Sequence, residues 1–303
     1  MFLFIALLFF IGCGSALDLS RQAQSPSILN DIHISSPHIL KIIPIDVGQG
    51  DATLMIGDNN EGILIDTGLP MAAPRVLQTI EEQHVEISRI LLSHPDQDHI
   101  GGLAEILKGL QQPNPPEVLN EKTTAFGTTM SLGEATISVK AAQGKIGSHL
   151  LTEEEKQETN NWSVALLLQF HHFKYFTTGD LPGGGGNPPY TTPDLESIIA
   201  PTIGDIDIAH ISHHGSHTAT NDFFLATLKP EAAIISTGDH NEYFHPHPSV
   251  IDRLLKSHIA LYQTERGWLD EKQDEVNVIG GSICIQSDGE TYSIRPYAID
   301  KCR

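Results

Sequence analysis

Residues 93–103 read Ser-His-Pro-Asp-Gln-Asp-His-Ile-Gly-Gly-Leu, which packs His94, Asp96, Asp98 and His99 into six positions. Two carboxylates and two imidazoles this close are costly to bring together unless a divalent cation holds them. Mixed nitrogen and oxygen donors suit zinc, manganese or iron. Taken as chemistry, one ion takes His94 and Asp96, a second takes Asp98 and His99, and a carboxylate from another strand must bridge the two. Asp180, in Thr177-Thr178-Gly179-Asp180, fits that need, because Gly179 lets the backbone turn and aim the carboxylate off a sheet edge. His213, in His213-His214-Gly215-Ser216, follows a strand in the same manner and would complete the second ion's shell, with His214 the alternative ligand. Read alone, the first run could instead be a solvated turn in which Asp98 caps a helix.

These residues need elements to present them. Residues 87–92 are an apolar, β-branched run, and 100–110 carry leucines and isoleucines at helix spacing behind two glycines, so the cluster lies on a strand-to-helix turn. The same patterns predict strands near 39–45, 52–56, 62–65, 135–140, 164–170, 174–177, 206–211, 232–236 and 276–284. Helices are predicted over 71–82, 100–110, 194–200, 222–228 and 248–256, with Pro193 and Pro248 at helix starts. Residues 111–117 and 183–192 are Pro- and Gly-rich connections. The second is no phosphate cradle, because no Gly-Lys-Ser/Thr follows it. Periodicity alone establishes only an α/β fold.

Further motifs follow in order: Asp46-Val47-Gly48-Gln49-Gly50-Asp51-Ala52, Asp66-Thr67-Gly68, Asn160-Asn161-Trp162-Ser163, and His245-Pro246-His247-Pro248. With the runs above, they resemble the histidine-aspartate signature of the metallo-β-lactamase superfamily. The set is similar to that of its ComEC-like branch, named for the hydrolase domain of competence DNA-uptake proteins, and spans residues 39–297. The resemblance implies a four-layer αββα sandwich holding two divalent metal ions, zinc or manganese. It implies His94 and Asp96 as ligands of the first site, Asp98, His99 and His213 as ligands of the second, and Asp180 as the bridge. Two features depart from zinc β-lactamases: Asp96 stands where those enzymes have a second histidine, and Asn160 begins the segment that usually brings a third. More oxygen and fewer imidazole donors make a harder site, which favours manganese as a rival to zinc. The implied chemistry is hydrolysis by a metal-bridged hydroxide, with Asp98 orienting the water and Asn160 serving the site. His247, with Tyr243 close by, is the candidate general acid or phosphate contact, on a loop stiffened by its prolines. Asp46 and Asp66 suit hydrogen bonding behind the ligands better than ligation. His33, His38, His84, His149, His171, His172 and His258 fall outside the motifs and read as surface or packing residues.

The formal charge is −20, from 38 acidic and 18 basic residues. It weighs against a broad electrostatic footprint for nucleic acid without excluding a nuclease, since bound cations supply positive charge where a phosphate must sit. Residues 1–11 are almost wholly apolar and precede Gly12-Cys13-Gly14-Ser15-Ala16, so 1–16 read as a secretory signal. Cleavage after Ala16 competes with a lipoprotein type, cleaved before Cys13 and acylated on it. Either way the leader lacks the usual Lys or Arg. Residues 17–38 then form a linker and 39–303 the hydrolase domain. In an exported chain Cys284 and Cys302 can pair as a disulfide, although Cys284 also reads as a buried small hydrophobe. No later stretch approaches the roughly eighteen consecutive apolar residues of a membrane span. The leading expectation is therefore an exported phosphodiesterase or nuclease, secreted, periplasmic or lipid-anchored, acting on nucleic acid or a small phosphodiester. The alternatives are a metallohydrolase of a lactone, thioester or β-lactam, or a non-catalytic surface binding protein, against which the intact ligand set speaks.

Overall fold

A computed structural model describes residues 38–186, 191–268, 276–298 and Cys302. The leader 1–16 and residues 17–37 of the linker lie outside the described residues. In chain order the first strands are Leu40–Pro44 (β1), Thr53–Ile56 (β2), Glu61–Ile65 (β3), Glu86–Leu91 (β4), Glu117–Leu119 (β5), Thr129–Leu132 (β6), Ala135–Ala142 (β7), Lys145–Ile146 (β8) and His149–Leu150 (β9). They continue with Ala165–Phe170 (β10), Phe173–Thr177 (β11), Gly183–Gly185 (β12), Thr192–Asp194 (β13), Ile208–His210 (β14), Ala232–Ile235 (β15), Ala260–Gln263 (β16), Val276–Val278 (β17), Ile283–Ser287 (β18) and Tyr292–Pro296 (β19). The helices are Ala73–Gln83 (α1), Gln97–Ile100 (α2), Leu103–Gly109 (α3), Glu196–Ile199 (α4), Asp222–Leu228 (α5) and Pro248–Lys256 (α6).

One sheet runs β19-β18-β1-β2-β3-β4-β5, and the other runs β17-β16-β15-β14-β11-β10-β7-β8-β9 with β6 paired to β7. Both mix antiparallel and parallel pairs; β3 and β4 are parallel, as are β11, β14, β15 and β16. Side chains on a strand alternate between its two faces, and here both faces are apolar. In β10, Leu166, Leu168 and Phe170 join Ile42, Met55 and Ile63 of the other sheet in one core, while Ala165 and Leu167 face the opposite way. That opposite face carries Leu195, Phe224, Leu225, Ile251 and Leu254 from α5, α6 and the segment leading into α4. The first sheet repeats the pattern, with Ile43, Leu54 and Leu64 turned outward against Val76, Ile80 and Ile106 of α1 and α3. The result is the expected four-layer order of helix, sheet, sheet and helix.

Several elements differ from expectation. The predicted helix over 100–110 is broken at Gly101-Gly102 into α2 and α3, because Gly102 N donates to the Gly68 carbonyl while the Asp98 and His99 carbonyls accept from Asp51 N and Thr67 N. The predicted strand over 276–284 is two strands in different sheets, β17 and β18. Gly183–Gly185 and Thr192–Asp194, read as a loop, pair as β12 and β13, and residues 187–190 between them lie outside the described set. The sequence reading passed over β5, β6, β8, β9, β16 and β19, short strands without the longer apolar runs by which the others were marked. Among the described residues no helix is long and apolar enough to cross a membrane.

Cys284, buried against the outer face of the first sheet, is bonded to Cys302, 18 residues on. Both readings of Cys284 therefore hold at once. Closing a loop of this length removes denatured-chain entropy worth about 3 kcal/mol. Cys302→Ser should lower the unfolding free energy by about that amount in urea titrations under oxidising conditions. Under reducing conditions the variant and the parent should converge.

Candidate metal centre

The site lies along one edge of the sandwich, where β3, β4, β11, β14 and β15 end and the 45–52 loop turns back into β2. Its first sheet supplies two carboxylates that do different work. Asp66, at φ 57°, accepts from Ser93 N and Ser93 Oγ at 2.7 Å each and from His99 Nδ1 at 2.8 Å. That bond fixes the tautomer of His99 and leaves Nε2 as a lone-pair donor facing the site. Thr67 N and Oγ1 both donate to the His99 carbonyl, at 2.7 and 2.9 Å, which locks α2 in place. Asp66 thus stands behind a ligand, as the sequence reading expects; Asp46 is tied instead to Arg75 Nη1 at 2.7 Å. Asp96 occupies the position that would cap α2, yet its carboxylate makes no capping bond and lies 3.6 Å from His94 Nε2. The alternative of a solvated turn capped by Asp98 fails as well, because Asp98 lies inside α2 and its Oδ2 is 3.3 Å from His214 Nε2.

The second sheet supplies Asp180, 3 % exposed, on a turn that Gly179 permits by a φ of 53° and by leaving room for Ser93. Asp180 N donates to Ser163 Oγ at 3.1 Å. Its two carboxylate oxygens face different partners. Oδ1 stands 3.2 Å from His99 Nε2 and 3.8 Å from His214 Nε2, while Oδ2 stands 3.5 Å from His213 Nε2 and 3.8 Å from His94 Nε2. Asp98 Oδ2 lies 3.3 Å from His214 Nε2. Two donor sets thus share Asp180: His94, Asp96 and His213 on one side, Asp98, His99 and His214 on the other.

This partition differs from the expected one, in which His213 joined Asp98 and His99. Both histidines take a left-handed backbone, at φ 51° and 52°, and their Nε2 atoms face different oxygens of Asp180. His214 Nδ1 lies 3.1 Å from the Ser236 carbonyl, which orients its Nε2 toward Asp98. Asn160 Nδ2 lies 3.4 Å from His213 Nδ1, so Asn160 sits behind His213 rather than in the place of a third histidine.

Asp51 is the residue the sequence reading passed over. Its carboxylate belongs to a buried group with His99, Asp180 and His214 whose donor atoms all lie within 4.8 Å of one another. The Gly50-Asp51 pair held the signal: a Cβ on Gly50 would stand 2.4 Å from the Asp98 carbonyl oxygen, so only glycine lets Asp51 approach. Asp51 Oδ1 is 3.2 Å from His210 Nε2, and His210 is held in turn by Tyr175 Oη at 2.9 Å. On the 239–247 loop the ring nearest the cluster is His245, 5.3 Å from His213 and 6.0 Å from His214, with Tyr243 stacked on it at 5.8 Å. His247 lies one layer out, its Nε2 3.2 Å from His217 Nδ1.

Charge explains why this arrangement calls for cations. Among the described residues, His94 Nε2, His99 Nε2, His214 Nε2 and Asp180 Oδ1 are buried without a hydrogen-bond partner, although each imidazole nitrogen stands 3.2–3.8 Å from an Asp180 oxygen. Buried polar atoms left unpaired cost about 1–3 kcal/mol each, and lone pairs converging on one space fit a Lewis acid. Without one, protons must serve: burial alone would lower His214, but Asp180, Asp98 and Asp51 outweigh it and raise it to about 9. Burial likewise opposes ionisation of Asp180, yet His99, His213 and His214 hold its carboxyl well below the usual range. His245 is pushed down to about 2 by burial and then by His214 and His213, so it stays neutral.

One buried carboxylate stands behind the centre without joining it. Glu196 accepts from Ser212 Oγ at 2.9 Å, Thr220 N at 2.8 Å and Asn221 N at 3.0 Å, and Ser212 Oγ also meets Thr178 Oγ1. It therefore ties the turn carrying Asp180 to the turn carrying His213 and His214. Burial raises it from 4.5 to about 7 despite those bonds. A carboxyl whose folded pKa is raised binds its proton more tightly in the folded state, so its stabilising contribution is complete below about 4.5 and is lost as pH rises through about 7. In the metal-free protein, the stability of wild type relative to Glu196→Gln should fall by about 3 kcal/mol between pH 4.5 and 7.5, read by urea unfolding at each pH. A flat difference would show that Glu196 does not carry that proton.

The family profile described as Metallo-beta-lactamase superfamily matches residues 45–240. Recombination protein 2 of Haemophilus influenzae is 31% identical over 227 residues, covering 73% of this chain and 27% of that protein. ComE operon protein 3 of Bacillus subtilis is 29% identical over 259 residues, covering 73% of this chain and 31% of that protein. The chain spans less than a third of the length of these two relatives. A Cronobacter sakazakii metallo-β-lactamase structure aligns at a TM-score of 0.38 and 17% identity, over 55% of this chain and 73% of that one.

Proposed function

The chain belongs to the metallo-β-lactamase superfamily, and on that premise we propose that it is a dinuclear metallohydrolase of phosphodiesters, nucleic acid foremost. The superfamily accounts for the hydrolase and for a divalent-metal site. The observation that supports two ions is the division of Asp180, Oδ1 toward His99 and His214, Oδ2 toward His94 and His213. His94, Asp96 and His213 would hold one ion, and Asp98, His99, His214 and Asp51 the other, with Asp180 common to both. Zinc and manganese both match these donors. Bound there, the ions supply activation of water and neutralisation of charge at the bond attacked.

The chain's own residues do the rest. Asp66, Asn160 and the Ser236 carbonyl fix the orientation of His99, His213 and His214 before substrate arrives. Asp98, more exposed than Asp180, is the carboxylate able to orient a water. Tyr243 is 55% exposed beside Asp98, and burial together with the Asp98 charge raises its phenol, so it meets substrate as a neutral O–H donor. His247, set against His217, is in position to contact a phosphate farther out. The likeness to competence and recombination proteins supports nucleic acid as substrate, and the disulfide supports an oxidising, exported setting.

One observation favours a second reading, a small substrate such as a lactone or thioester. The recess beside the centre is lined by Asp96, Asp98, Glu242 and Tyr243, with His240 and Gln49, and among the described residues no lysine or arginine lines it. Such a rim repels a long polyanion.

Labelled single- and double-stranded DNA, offered to metal-stripped protein with zinc or manganese restored, separates the readings. Cleavage should appear only with metal and fall at least about 1,000-fold in Asp180→Ala. Binding of two ions without DNA cleavage would rule out the nuclease reading and turn the search to lactone and thioester panels.

A further inference from the structure

At the edge of the sandwich remote from the centre, three turns bring together another set of donors. His38 stands two residues before β1, Asp58 lies in the β2–β3 turn, and Glu134 lies in the β6–β7 turn of the opposite sheet. We propose that His38, Asp58 and Glu134 form a separate, structural divalent-cation site that clasps the two sheets together. It does not rest on the catalytic reading above.

Three observations carry the proposal. His38 Nδ1 is 2.6 Å from Asp58 Oδ2 and 3.7 Å from Glu134 Oε1, and one donor atom from each residue lies within 4.8 Å of the others. These separations bracket the roughly 3.3 Å expected between donors that sit about 2.0–2.2 Å from a tetrahedral zinc. The site is also built for close approach. Asp58 Oδ1 accepts from Glu134 N at 2.8 Å, and a Cβ on Gly133 would stand 1.9 Å from that same oxygen, so only glycine allows the β6–β7 turn to close on Asp58. Finally, the first ligand shell is backed. His171, in the β10–β11 turn, places Nε2 3.2 Å from the other Glu134 oxygen, Oε2, as an imidazole that orients a ligating carboxylate does.

The geometry also explains the charge. Two carboxylates, one of them with a side chain only 5 % exposed, face His38 within the cluster, while His171 meets Glu134 from outside it. A divalent ion on neutral His38 balances both. Three protein donors leave a fourth position for water, and the half-exposed His38 and Glu134 leave a path for the ion to enter.

The test counts ions and needs no substrate. Metal-stripped wild type, His38→Ala, Glu134→Ala and Asp180→Ala are titrated with zinc alone, followed by calorimetry and by ion analysis after gel filtration. The first two variants should bind one zinc fewer per chain than wild type and keep whatever activity wild type shows. Asp180→Ala should retain a zinc that Asp180→Ala/Glu134→Ala lacks, with zinc raising the melting temperature of the single variant alone by roughly 5 °C. If Asp180→Ala does not fold, the counts for the two outer variants decide. Equal zinc counts in wild type and both outer variants would overturn the proposal. So would a fall in melting temperature without a change in count, which would make the cluster an ion pair only.

Discussion

A carboxylate buried between two groups of imidazoles, with an oxygen given to each, is the constraint on which the rest of this structure depends. Asp180 cannot sit there unaided, since taking an isolated carboxylate out of water costs more than its hydrogen bonds return. The surroundings accordingly converge on it. Gly179 turns the backbone, Ser163 meets its amide, and the Glu196 network fixes the two turns that carry Asp180 and the His213-His214 pair. Asp66 and the Ser236 carbonyl take the outer nitrogens of His99 and His214, so that the inner ones face Asp180.

Because donors come from both sheets, the distance between sheets sets the site. Asp51, His94, Asp96, Asp98 and His99 ride on one sheet, Asp180, His213 and His214 on the other, and the core of Met55, Ile63, Leu166, Leu168 and Tyr175 spaces them. A cavity in that core would be felt at the centre as a change in donor separation, a coupling that a site built on one element would not have. The cluster of His38, Asp58 and Glu134 bears on the same spacing from the far edge, where the sheets would otherwise be free to splay.

Charge draws the substrate question in two directions. The chain carries −20 overall and an acidic recess beside its centre, whereas the attacked group in a phosphodiester is itself anionic. If two dications bind as proposed, their attraction for a polyanion is screened beyond about 8 Å at physiological salt. On the proposed reading, recognition would rest on the centre itself and on rings such as Tyr243 at its rim, with little help from long-range attraction.

Much of this was legible in the chain. The crowding of His94, Asp96, Asp98 and His99 signalled a cation because converging carboxylates and imidazole lone pairs are costly to bring together without one, and Gly179 beside Asp180 signalled a turned carboxylate. The short apolar runs of β1, β10, β11 and β15 marked strands buried on both faces, and the order of motifs marked the family. Three things were decided only in three dimensions. Whether His213 or His214 faces Asp98 depends on two consecutive left-handed residues, a backbone state that a histidine's identity does not announce. Asp51 looked like any acidic turn residue, because its role comes from Gly50 closing on the backbone of Asp98, 48 positions away. His38 and His171 read as ordinary surface histidines, since their partners, Asp58 and Glu134, lie on other turns and in part on the other sheet. Local chemistry survives in one dimension because it is a property of neighbours along the chain; ligation across sheets does not, because it is a property of how the chain packs.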